Sequence, residues 1–194
     1  MTRVLTVCLA GLASALALGG AAGCVGRLIS EGAGVALGAR GKVVDVTAVS
    51  SQSLRAYRGI RFEPITVSRG LKTPPRIAAL VRSEFSRRVA EEFDFDSQRE
   101  PTLVLHAEII HYESGGAVDT AIGPLEEIIL RARLIDASGG NLLAEANLIG
   151  RSKATTSSGA ENLAEGAGRA LEKWLKEGGA PRKNKDDEHS RRNK

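Results

Sequence analysis

Hydrophobic positions recur along this chain with two different periods, and the switches between them mark out its elements. From 77 to 93, Ile77, Leu80, Val81, Phe85, Val89 and Phe93 step by three or four residues, while Arg82, Arg87, Arg88, Glu91 and Glu92 fill the remaining positions. That spacing predicts an amphipathic helix with one packing face. Thr73-Pro74-Pro75 supplies its start, a hydroxyl cap before a proline whose missing N–H costs nothing in a first turn. A second helical stripe runs through Leu163, Ala164, Ala167, Leu171, Trp174 and Leu175. It is bounded by a capping box at Ser158 and Glu161 and by the stop Gly178-Gly179. Its small residues Ala164, Ala167 and Gly168 predict a close approach to a sheet, with Trp174 as a core anchor.

Elsewhere the period is two. Thr102 to Tyr112 places Leu103, Leu105, Ala107 and Ile109 on one face of a strand. A second strand, Glu126 to Asp136, turns Ile128, Leu130, Ala132 and Leu134 inward. The turn Ala137 to Asn141 then leads into a third strand with Leu142, Ala144, Ala146 and Leu148 on the same side, which makes a hairpin. On its other face, Arg131, Arg133 and Glu145, with Glu108 on the preceding strand, predict cross-strand charge pairs on an exposed surface, where they serve solubility and register. Ahead of these, Ile60 to Ser68 reads as a strand broken by Pro64, which lacks a ladder donor and therefore belongs at an edge or a bulge.

Strand, helix, three strands and helix pack most economically as an antiparallel-rich sheet with both helices on one face. The expectation is an α+β two-layer sandwich of order βαβββα over residues 54–179. Residues 24–53, rich in Gly, Ala and Ser with a brief β-like run at Val43 to Val49, read as a tether. Residues 180–194 read as a disordered polar tail.

Upstream of the tether, residues 1–23 have the layout of an export signal. Arg3 precedes an apolar stretch of fifteen residues, Val4 to Leu18, followed by small residues from Gly19 to Gly23. The stretch is shorter than the roughly 20 residues that span a bilayer as a helix. Ala21-Ala22-Gly23-Cys24 sets small residues directly before a cysteine and resembles the lipobox of bacterial lipoproteins, with Ala21 where that motif usually carries leucine. The resemblance implies cleavage between Gly23 and Cys24 and acyl chains such as palmitate on Cys24, each buried methylene adding roughly 0.8 kcal/mol of anchoring. Cut as an ordinary secretory signal, the chain would instead keep Cys24 as a free thiol, still outside the cytoplasm. Val25 stands where an aspartate would resemble an inner-membrane retention signal, so the outer membrane, facing the periplasm, is the expected location. Cys8 leaves with the signal, so no internal disulfide is available and the core alone must hold the domain.

Leu54-x-x-Tyr57-x-x-Ile60, then Pro64, a long amphipathic helix and the hairpin strand Leu130-Arg-Ala-Arg-Leu-Ile-Asp136 together resemble the domain of several uncharacterised bacterial lipoprotein families. More distantly, the layout resembles the amino-terminal domain of the Tol-Pal translocation protein and the curli secretion lipoprotein. The resemblance spans about Leu54 to Glu177 and implies this fold without supplying any catalytic residue to carry over.

Candidate chemistry changes little in this picture. His106 and His111 are five apart on one strand and are expected on opposite faces, and His106 with Glu108 makes only two ligands, too few for a zinc site. Gly-x-Ser-x-Gly is absent, and no cysteine beyond the anchor is left to act as a nucleophile. Gly38-Ala-Arg-Gly41-Lys42 lacks the spacing and hydroxyl of a phosphate-binding loop. Glu126 and Glu127 open a strand and read as solvated. The net charge of +4 is carried largely by the tail, which holds six basic and three acidic residues, so the domain is near neutral and shows no basic face with interleaved aromatics.

The sequence therefore predicts a membrane-anchored binding or assembly module for another envelope protein, without enzymatic activity, cofactor, metal or nucleic acid. The competing expectation is a small-ligand carrier or enzyme using the groove between sheet and helices. The loop Glu113 to Pro124, twelve residues with three glycines, and the sheet edge near Pro64 are the expected contact surfaces, with Gly115, Gly116, Asp119, Thr120 and Gly123 as the loop's candidate residues.

Overall fold

A computed structural model describes residues 39–50, 53–114, 125–153 and 159–184. Its elements are β1 (Arg40–Thr47), β2 (Gly59–Phe62), β3 (Thr66–Val67), α1 (Ile77–Glu92), β4 (Thr102–Glu113), β5 (Leu125–Asp136), β6 (Leu142–Lys153) and α2 (Ala160–Glu177). One sheet holds all six strands in the order β1-β6-β5-β4-β2, with β3 also on β4. β4, β5, β6 and β1 are antiparallel neighbours, whereas β2 and β3 run parallel to β4. Parallel neighbours need a crossover, and α1 supplies it. Both helices lie against the same sheet face, so the molecule is the α+β sandwich that the periodicities predict.

Pro64 has the effect expected of it. Phe62 pairs with Leu105 and Thr66 with Glu108, so the edge advances four residues where β4 advances three. The surplus residue at the proline splits one strand into β2 and β3 and moves the apolar phase from Ile60 to Ile65.

The interlayer core is built from the inward sets of β4, β5 and β6 and the stripes of both helices. Trp174, Phe85, Phe93, Leu54, Leu130 and Leu148 are fully buried in it. Helix α2 comes down onto backbone rather than onto side chains. A Cβ on Gly41 would lie 2.3 Å from the Ala170 nitrogen, and one on Gly150 would lie 2.5 Å from the Leu163 oxygen. A Cβ on Gly166 would in turn lie 2.6 Å from the Arg40 oxygen. The close approach is therefore made by Gly166 and Ala167, while Gly168 faces α1, where its Cβ would meet Glu84.

Several boundaries differ from expectation. The sheet begins at Arg40, inside the segment read as a tether, because Gly41 is a packing glycine of β1 rather than a flexible one. Thr73 does not cap α1: Arg76 occupies the N-cap without a side-chain bond, and the Pro74 carbonyl accepts from the Ile77 amide at 3.1 Å in a preceding turn. Leu142 is 48% exposed. It pairs with Ile135 while Ala144 pairs with Leu134, so a bulge at Leu143 turns Leu142 out of the inward row. The start of the expected tail is also ordered into the fold, since Asp94 donates to the Pro181 carbonyl at 2.9 Å and Lys183 to the Glu92 carbonyl at 3.1 Å.

Candidate functional site

Gly23, Cys24 and the loop residues Gly115, Gly116, Asp119, Thr120 and Gly123 lie outside the described residues. What the structure defines is the platform that carries the loop. β4 ends at Glu113 and β5 begins at Leu125, so the loop leaves from one end of the sheet. β6 ends at that same end of the sheet, where Glu126 pairs with Ser152.

At this end of the sheet sits Glu126. Two residues before Ile128, it belongs to the inward row of β5, and only 8% of its surface is exposed. Its Oε2 accepts the Ser152 hydroxyl at 3.0 Å and the Gly159 amide at 2.7 Å. Gly159 is the N-cap of α2, with φ of 124°, and has no side chain to cap the helix; Ser158, the expected cap, lies outside the described residues. Glu126 thus binds the amide of the N-cap residue itself and sets a negative charge at the positive end of the helix. Tyr112 stands nearby on β4; burial pushes its hydroxyl pKa up, and the charges of Glu126 and Glu161 push it in the same direction.

Outside the core, the sheet face bears the polar rows. Glu127 meets Arg151 at 2.5 Å. Arg131 and Arg133 both reach Glu145 at 3.2 Å, and Arg131 also donates to Asn147 at 2.8 Å. The expected charge pairs thus centre on Glu145, which is buried beneath the two guanidinium groups rather than exposed. Glu108 is opposite Arg131 in register. A bulge at Ile110 restores His111 to the face of His106: His106 pairs with Arg133 and His111 with Ile129, both outward. The expectation of opposite faces fails for that reason. Four pleat positions still separate the two imidazoles, about 13 Å along the strand. Among the described residues no group of three His, Cys, Asp or Glu side chains could hold a metal ion, and no helix is long and apolar enough to cross a membrane.

A third polar cluster joins the helices. Arg88 donates to Glu84 at 2.7 Å and, across the interhelical seam, to Glu172 at 2.8 Å. Arg87 clasps Glu84 and Glu91, Lys176 pairs with Glu172, and Glu92 draws in Lys176 at 3.4 Å and Arg182 at 3.6 Å. Burial raises the carboxyl pKa of Glu84 and Glu172, but the cationic donors around them outweigh it and hold both below the ordinary value of 4.5.

No protein-family model matches this sequence, and none of the curated proteins does. Solved structures with a similar chain path include the PelC dodecamer from Paraburkholderia phytofirmans, at 14% identity and a TM-score of 0.45, covering 71% of this chain and 96% of that one. They also include a Xanthomonas campestris protein of family DUF330, at 15% identity and a TM-score of 0.39, covering 69% of this chain and 87% of that one. A candidate lipoprotein from Caulobacter crescentus is similar at 14% identity and a TM-score of 0.34, over 58% of this chain and 90% of its own.

Proposed function

We propose that this chain is an exported lipoprotein, held at the outer membrane by acyl chains on Cys24, and that its α+β domain is a non-catalytic binding or assembly module for another envelope component. The observation that carries this reading is Ala21-Ala22-Gly23-Cys24 behind a short apolar stretch, with fifteen residues between that cysteine and the first strand of the sheet. Acyl chains at one end and a folded domain close behind it describe an anchored passenger.

Packing favours this over a carrier or an enzyme working between sheet and helices. That interlayer space is filled by fully buried side chains such as Trp174, Phe85 and Leu130, and at Gly41 and Gly150 the backbone of α2 leaves no room even for a methyl group. A ligand there would have to displace a core packed at the density of a crystal.

A Cys24→Ser variant tests the anchor. Labelled fatty acid should incorporate into the parent chain and not into the variant, and the variant should leave the membrane fraction. Undiminished labelling overturns the lipoprotein reading. A pull-down from solubilised envelopes tests the module: a defined protein partner is expected, and a small molecule retained through purification would favour the carrier instead.

A further inference from the structure

β1 is an edge strand whose outer side chains form a short basic and apolar run. Gly41 faces α2, so Arg40, Lys42 and Val44 point to the opposite face, which no described element covers. Neither Arg40 nor Lys42 has a side-chain hydrogen bond or ion pair among the described residues. Arg40 lies directly opposite Arg151, whose own charge is answered by Glu127. Next along, Val44 is 39% exposed and Val46, the bulged residue of the strand, is 53% exposed. These are two of the four large apolar side chains exposed among the described residues. The one acid of the strand, Asp45, is exposed and is in register with Ala146, on the sheet face opposite to Lys42 and Val44.

Unneutralised cations beside exposed valines suit one kind of neighbour well, an anionic bilayer surface, where the charges meet headgroups and the valines lie at the interface. We propose that the free edge of β1 rests on anionic lipid headgroups of the membrane that holds the anchor. The proposal rests on the lipoprotein reading above and adds an orientation to it. β1 is the first element of the fold after Cys24, and fifteen extended residues reach at most about 55 Å, so the edge is within easy range of the bilayer. A second copy of the chain is the other occupant an open edge invites. Lys42 and the bulge at Val46 are the devices that discourage strand addition, so the edge is built against that occupant. Each cation at an anionic surface strengthens the contact roughly fivefold, and salt screens it.

Hydrogen exchange of the lipidated full-length protein on vesicles tests this directly, comparing phosphatidylcholine alone with phosphatidylcholine containing phosphatidylglycerol. The free-edge amides of β1 should exchange several-fold more slowly on the anionic vesicles. High salt or the pair of substitutions Arg40→Glu and Lys42→Glu should abolish the difference while the protein still floats with the vesicles. Arg40→Glu removes a like-charge pair with Arg151, so folding is not at risk from it. Equal exchange on both vesicle types, with the protein floating on both, overturns the proposal. So does β1 protection that rises with protein concentration regardless of lipid, which would assign the edge to a second copy. Failure to float even on neutral vesicles in high salt removes the anchor reading, and the orientation falls with it.

Discussion

The Oε2 atom of Glu126 accepts the amide of Gly159 at 2.7 Å, so a strand carboxylate holds the N-cap of a helix, 33 residues later in the chain. The same oxygen holds Ser152, the last inward residue of β6 described, and therefore ties together both flanks of the connection 154–158. Removing the carboxylate takes one acceptor from a buried hydroxyl and one from a helix-end amide. Glu126→Ala should cost about 2 kcal/mol. Glu126→Gln, which keeps an acceptor but loses the charge facing the helix dipole, should cost about 0.5–1 kcal/mol. Denaturant midpoints of the two variants check the order, and equal losses would assign the whole effect to the charge.

Gly150 and Gly41 predict a different kind of failure. A methyl group at either position enters the backbone of α2, at 2.5 Å from the Leu163 oxygen or 2.3 Å from the Ala170 nitrogen, and backbone cannot turn aside as a flexible side chain can. Gly150→Ala and Gly41→Ala should each cost about 3 kcal/mol, the upper end for overpacking. Because both push on the same helix, the double variant should lose less than the two single losses combined. Thermal unfolding of the three variants measures this.

These glycines also show where the sequence could and could not be read. The alternation in β4, β5 and β6 and the stripes of α1 and α2 name the core almost residue by residue, because burial on one face imposes a period that any reader can count. Gly41 has no side chain to carry a period, so in the sequence its packing is indistinguishable from a flexible tether. Leu142 and His111 depart from the faces their spacing predicts for a related reason: a bulge at Leu143 or Ile110 adds one residue, and one residue reverses every face beyond it. Glu126 was legible after all. It continues the inward row Ile128, Leu130, Ala132 backwards by two, and a charge on that row signals a buried partner rather than solvent.

The interhelical cluster predicts how stability depends on pH. Glu84 and Glu172 have carboxyl pKa values below 4.5 in the folded state, held down by Arg87, Arg88 and Lys176 against the opposing effect of burial. A carboxylate that is more acidic folded than unfolded stabilises the fold above its unfolded pKa and loses that contribution as pH falls through the folded value. The expected profile is flat near neutrality and declines below about pH 5. Arg88→Met removes the cation shared by both carboxylates. It should cost about 2 kcal/mol at neutral pH and less at pH 3, flattening the acid limb. A parallel downward shift at all pH values would show that Arg88 acts through its aliphatic stem instead.

Trp174 is the largest side chain of the core and is fully buried, yet its indole Nε1 has no hydrogen-bond partner among the described residues. A buried donor left unsatisfied costs about 1–3 kcal/mol, which the fold carries for the sake of the ring's volume. Two substitutions separate these terms. Trp174→Phe deletes the orphaned N–H along with part of the ring, so the relief and the small cavity nearly cancel, and stability should change by no more than about 1 kcal/mol in either direction. Trp174→Ala removes the whole ring and should cost about 4 kcal/mol. Guanidinium unfolding of both variants decides the matter: a loss near 3 kcal/mol for Trp174→Phe would mean that the N–H is satisfied, by a buried water or by a residue outside those described.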